Sequence, residues 1–218
     1  MPLRKTGGKL KNRRLAAVYH HDMDRRRTAA WLLALACLNG LPSLAPGGEA
    51  MPAQPTETTA EAILAEYARG KALYEAGRYR ESFPIFERLA KAGFPQAKMS
   101  LAYQYEKGQG VFPNPGQAKR WYLRAANDGL PAAIIALAFQ YREGKWVKRN
   151  PVLSYALFLV AQRLTPGPAA DAMVKAAAEW LSDDQKRLGE RLAREMQPGQ
   201  GAISRIIQQA EKIGEPVL

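Results

Sequence analysis

From about residue 60 to residue 210, apolar residues return at steps of three and four, the spacing that gathers side chains on one face of an α-helix. The pattern also repeats on a longer scale. The stretch Gly93–Ala126 recurs 36 residues later as Gly129–Gln162. Laid together without a gap, the two copies share Gly93/Gly129, Pro95/Pro131, Ala97/Ala133, Leu101/Leu137, Ala102/Ala138, Gln104/Gln140, Tyr105/Tyr141, Gly108/Gly144, Val111/Val147, Asn114/Asn150, Pro115/Pro151, Leu123/Leu159 and Ala125/Ala161. Ala97, Leu101, Ala102 and Tyr105 predict one face of a first helix, which Gly108 ends because glycine takes the left-handed conformation without a Cβ penalty. Asn114 and Pro115 then read as N-cap and first residue of a second helix, with Ala118, Trp121, Tyr122 and Ala125 on one side and Gly129 as its stop.

The flanks continue the theme. After a linker that ends in an N-cap at Thr58 or Thr59, a helix running to about Ala76, with Leu64, Tyr67, Lys71 and Tyr74 on one face, and another from Ser82 to Ala92, with Phe83, Ile85, Phe86 and Leu89, make a hairpin with a tighter turn. Beyond the break at Pro166, Gly167 and Pro168, a helix from Ala169 to about Leu181 carries Met173, Ala176, Ala177 and Trp180 on one face. Ser182, Asp183 and Asp184 cap the next, which runs to Met196 with Leu188 and Leu192 in a charged surface. Ile203, Ile206, Ile207 and Ala210 make a last short helix. Two antiparallel helices of this length cannot bury their apolar faces alone, so the expected fold is all-α, an α-α superhelix of stacked hairpins closed by C-terminal capping helices. The expected divisions are a leader at 1–53, repeats at 54–165 (about 60–93, 94–129 and 130–165) and capping helices at 166–218.

The middle unit, with Ala97, Leu101, Tyr105, Gly108, Gly110, Val111, Ala118, Trp121, Tyr122, Ala125, Ala126 and Gly129, resembles the Sel-one-like repeat family, a branch of the tetratricopeptide-like repeats. The match is close over 93–129 and looser over 129–163. Ala102 and Ala138 stand where the family has glycine, and Trp146 replaces the second loop glycine. Residues 60–93 look more like an ordinary tetratricopeptide unit. The resemblance implies a solenoid that holds or joins other proteins, with many bacterial members exported to the cell envelope; it names no partner. Its phase also implies a concave face lined by first helices, on which Met99, Tyr103, Glu106 and Lys107 correspond to Ile135, Phe139, Arg142 and Glu143, with Tyr103 and Phe139 stacked along a groove suited to a peptide or helix. The alternative use of these rings is packing on one another or beneath the C-terminal helices.

Charge changes the picture at the N-terminus. The net charge is +12, yet residues 1–50 hold nine Lys or Arg against three Asp or Glu, while residues 51–218 hold 23 against 17. Arg25, Arg26 and Arg27, the apolar run Ala29–Leu38, and the breakers Gly40, Pro42, Pro46 and Gly47 have the parts of a secretory signal, and the run is shorter than the roughly 20 residues of a membrane span. Met23 just before the arginines is a second candidate start, leaving 1–22 as an over-extended beginning. Cleavage after Ala45, Ala50 or Ala53 is expected, with lipidation of Cys37, the sole cysteine, as the alternative. The periplasm or cell envelope follows as the expected location, with membrane attachment only through the leader or Cys37.

Little of the composition suits catalysis. The only histidines, His20 and His21, lie in the leader, so a mature chain has no histidine base or ligand, and no metal or cofactor is expected. Gly108 and Gly110 form a repeat loop rather than a phosphate cradle. Glu75 and Glu106 hold matching places and offer a general acid/base pair only if they converge. Lys119, Arg120 and Arg124 on a second helix, and Lys145, Trp146, Lys148 and Arg149 in a loop, suit nucleic acid, anionic lipid or acidic glycan if they are more than a hydrated surface. In an exported protein, nucleic acid is not expected. The resulting expectation is a non-catalytic interaction module with a protein or peptide partner. The alternatives are a wall- or β-lactam-directed hydrolase of the same family, whose paired cysteines are missing here, and a cytosolic scaffold if the leader is no signal.

Overall fold

The computed structural model describes residues 57–199 and 201–213; the predicted starts, signal, cleavage sites and Cys37 lie outside them. The chain divides into one unit ending at Leu64 and a second beginning at Ala65. The first contributes here only the opening residues of a helix, and the second is the repeat array. Among the described residues all regular structure is helical: α1 (Glu57–Glu75), α2 (Tyr79–Lys91), α3 (Pro95–Lys107), α4 (Pro115–Asn127), α5 (Pro131–Glu143), α6 (Pro151–Leu164), α7 (Pro168–Ala178), α8 (Asp183–Glu195) and α9 (Ala202–Ile213). None of them is long and apolar enough to cross a membrane.

The two long hairpins, α3–α4 and α5–α6, are built alike. Gly108 and Gly144 end their first helices at φ 67° and 69°. Asn114 and Asn150 cap the second helices through side-chain bonds from Gln117 N and Leu153 N, with Pro115 and Pro151 next. Each intervening loop is clasped by the same backbone bond, Asn114 N to Tyr105 O (2.9 Å) and Asn150 N to Tyr141 O (2.8 Å). Leu101, Ala102, Ala118, Tyr122, Ala125, Leu137, Ala138, Leu153 and Leu157 are buried between these helices, in one continuous core.

In the first hairpin α1 is helical from Glu57, so Thr58 and Thr59 lie within it rather than capping it. It packs closely on α2 at Gly70, where a Cβ would stand 2.9 Å from the Phe86 ring. α2 begins three residues before Ser82. Ser82 is buried one turn inside, its Oγ donating to Tyr79 O and accepting from Gln104 Nε2 (2.7 Å). A hydroxyl needed between α2 and α3 is not free to cap.

At the far end α7 stops at Ala178, two residues before Trp180. Leu181 takes the buried place, and Trp180 is 82% exposed instead of lying on the apolar face with Met173 and Ala177. α8 has the expected start, a capping box between Ser182 and Gln185. α9 turns back to the middle of the array and packs on α4 as well as α8, with Ile203 and Ile207 fully buried. Asn127 and Ser204 exchange two hydrogen bonds, and Glu211 accepts from Lys119 Nζ (2.6 Å) and Tyr141 Oη (2.6 Å). The terminal Arg163 guanidinium of α6 donates to Ala193 O and Met196 O, tying down the end of α8.

Candidate binding groove

The first helices α1, α3 and α5 bring the expected groove residues into two clusters. In the first, the Tyr103 ring meets Tyr74 edge-on at 6.3 Å, and Lys107 Nζ lies 5.3 Å from the Tyr103 centroid. Glu106 beside them is withdrawn, its side chain 8% exposed, accepting from Tyr122 Oη (2.8 Å) and Lys107 Nζ (2.9 Å). Burial, then the Glu106 charge and hydrogen bond, push the Tyr122 hydroxyl far above the usual phenol range. Tyr74 Oη donates to Gln109 Oε1 (2.8 Å), and burial with Tyr103 and Tyr79 nearby pushes this phenol up to about 12. Burial pulls the Lys107 ammonium down, but the Glu106 hydrogen bond and charge, together with smaller contributions from Tyr103 and Glu143, outweigh it and the net direction is up. Met99 is half-buried.

In the second cluster Phe139 packs edge-on against Phe158 of α6 at 5.2 Å, and the Arg142 guanidinium covers it at 4.5 Å from the centroid. Ile135 is 9% exposed, a floor position rather than an open one. Glu143 is engaged by Lys145 at 2.8 Å. Arg142 has no carboxylate within ion-pair reach among the described residues, and burial lowers the tendency of its guanidinium to hold its proton. Tyr103 and Phe139 thus each have a ring partner of their own, Tyr74 and Phe158. Glu75, the proposed companion of Glu106, is an exposed residue paired with Lys71.

Two features went unread in the sequence. Gln104 is buried between α2 and α3, and its Oε1 has no partner, as is true of Gln140 Oε1 one repeat on; the identity of the two positions was the available signal. The other is α9, which covers Tyr141 while its counterpart Tyr105 stays half-buried against Phe83 (5.3 Å, edge-on). No group of three His, Cys, Asp or Glu among the described residues is placed to hold a metal ion.

Paired helices at a constant period, clasped and capped alike, define an α-helical repeat protein. More particularly, residues 95–130 and 131–161 match the family model described as Sel1 repeat, so the chain carries two Sel1 repeats. A solved structure from Escherichia coli, a protective antigen present in uropathogenic strains and displaying an SLR fold, is similar in fold at a TM-score of 0.59 and 21% identity. The similarity covers 74% of this chain and 36% of that one. No curated protein matches the chain.

Proposed function

We propose that the chain is an exported, non-catalytic interaction module of the bacterial envelope, gripping a protein or peptide on the face lined by Met99, Tyr103, Lys107, Phe139 and Arg142. The observation that carries this reading is Arg142: a half-buried guanidinium lying on Phe139, with no carboxylate in reach among the described residues. A cation partly removed from water without a partner is costly, and an apolar segment bearing an acidic residue relieves that cost while covering the ring. One repeat earlier Tyr103 lies under Lys107, a second cation over a ring, here paired with Glu106. Glu106 supports a structural role over an acid/base one, because Tyr122 and Lys107 already occupy both its oxygens. The Sel1 repeats, whose family generally mediates protein–protein contact, point the same way. The sequence of the leader supports export.

The test compares crosslinked partners of the wild type with those of Tyr103→Ala/Phe139→Ala and of Arg142→Glu, each checked by circular dichroism. Loss of the same partner in both folded variants is expected; a partner set unchanged in both sinks the groove. For export, N-terminal sequencing of the protein recovered from the periplasm shows a start after Ala45, Ala50 or Ala53 if the leader is a signal. An intact leader in the cytosol refutes it.

A further inference from the structure

The edge formed by the first-to-second-helix loops is distinct from the groove. In stacked hairpins such loops fall on one side of the array, and the common clasp at Asn114 and Asn150 holds residues 109–113 and 145–149 in equivalent frames. Phe112 and Lys148 occupy the same place in successive loops. Phe112 is 92% exposed. The first hairpin's tighter turn lies against Gly110 and adds Arg80 to this edge. The acidic residues there are already engaged, Glu81 by Arg78 and Glu143 by Lys145. Arg80, Lys148 and Arg149 are exposed and have no carboxylate within ion-pair reach among the described residues. Trp146 stands half-buried among the second loop's cations.

A nearly bare phenyl ring on the same loop edge as cations without carboxylate partners has an obvious complement in a layer that is anionic at its surface and apolar just beneath. The geometry points to a peripheral membrane-docking edge: Phe112 enters the headgroup boundary of an anionic bilayer while Arg80, Lys148 and Arg149 lie against its phosphates. Single-stranded nucleic acid would use the charges and stack a base on the ring, so it forms a separate arm of the test. The other bare aromatic, Trp180, serves as an internal control: Glu179 precedes it, and Asp183 and Asp184 after it are paired with Lys186 and Arg187, so its immediate surroundings carry no excess of positive charge.

The experiment is amide hydrogen exchange on the full chain with vesicles of phosphatidylcholine alone or of equimolar phosphatidylcholine and phosphatidylglycerol. Reading exchange at residues 108–114 and 144–150 keeps the leader's own affinity for lipid out of the measurement. Slowed exchange in both loops with the anionic vesicles only is expected. Phe112→Ser weakens the vesicle dependence of that protection roughly tenfold, from one lost apolar side chain. Lys148→Glu/Arg149→Glu weakens it about 25-fold or more, at roughly fivefold per charge, and Trp180→Ser leaves it unchanged. Loop exchange that ignores anionic vesicles, protection that persists in both variants, or equal protection by single-stranded DNA regardless of Phe112 overturns the proposal.

Discussion

Gly110 lies hard against Tyr79 of the preceding hairpin, and replacing it by alanine separates two costs that usually come together. Gly77 and Gly110 have nearly the same backbone, φ +75° and +78°. Around Gly77 an added Cβ meets nothing within 4 Å, whereas at Gly110 it stands 2.6 Å from the Tyr79 carbonyl carbon and closer still to its oxygen. Gly77→Ala therefore carries only the left-handed conformation, about 1–2 kcal/mol, less the roughly 0.4–1 kcal/mol that alanine saves by restricting the unfolded chain. Gly110→Ala carries the same and must also push backbone from backbone. Neither side is a flexible side-chain end, so the hairpins part or the loop lifts, at about 1–3 kcal/mol by analogy with overpacking. The expected totals are about 1 kcal/mol for Gly77→Ala and about 2–4 kcal/mol for Gly110→Ala. In a domain of this size that is a fall in Tm of roughly 2–4 °C against roughly 5–15 °C. Parallel thermal melts by circular dichroism measure it, with hydrogen exchange locating the loosening at the start of α2. Equal shifts in the two variants would mean that the loop does not bear on the preceding turn, and the argument for close stacking there would fail.

Three further outcomes follow from the same packing. Ser82→Ala strands Gln104 Nε2 in a buried site whose Oε1 is already unpartnered, so a loss of about 1–3 kcal/mol is expected in urea unfolding; Ser82→Thr, which keeps the hydroxyl, should recover part of it. Above pH 10 the unfolded chain sheds the protons of Tyr74, Tyr122 and Tyr141 while burial in the fold keeps them on, so stability is full below about 10 and falls as pH rises toward 12 and beyond. Tyr74→Phe should flatten the fall between 10 and 12, and a melting series showing the wild-type slope in that variant contradicts the assignment. Ile207→Ala empties a fully buried position under α9 and should cost about 2–5 kcal/mol, with faster amide exchange in α9 before the hairpins respond; loss of protection in α3 first would show that α9 is not the weaker element.

The hairpins were legible in the sequence because everything that makes them is local. A glycine after the first helix, an asparagine–proline pair before the second and apolar steps of three and four act within a few residues, and the constant period between Gly93 and Gly129 carried them from one copy to the next. What depended on distant partners was not legible. The stripe of Ile203, Ile206 and Ile207 announced a helix with an apolar face but not that Asn127, Lys119 and Tyr141, some seventy to ninety residues earlier, would receive it. Trp180 was read onto a face by its spacing, yet α7 ends first and the periodicity no longer applies. For the proposed groove the repeat phase gave Tyr103 and Phe139 matching places. It gave no sign that Glu106 would be claimed by Tyr122 of the companion helix, or that Phe158 would meet Phe139.

The clasp from asparagine N–H to tyrosine carbonyl has an evolutionary corollary. It is written wholly in main-chain atoms, so the bond itself reads no side chain between its ends; Gly110 answers to the neighbouring turn instead, and the two copies have diverged, one into Gln-Gly-Val-Phe-Pro and the other into Lys-Trp-Val-Lys-Arg. A scaffold whose connectors are fastened independently of their contents can exchange one cargo of side chains for another by point mutation alone, and so acquire new specificities at that rim without relearning how to fold.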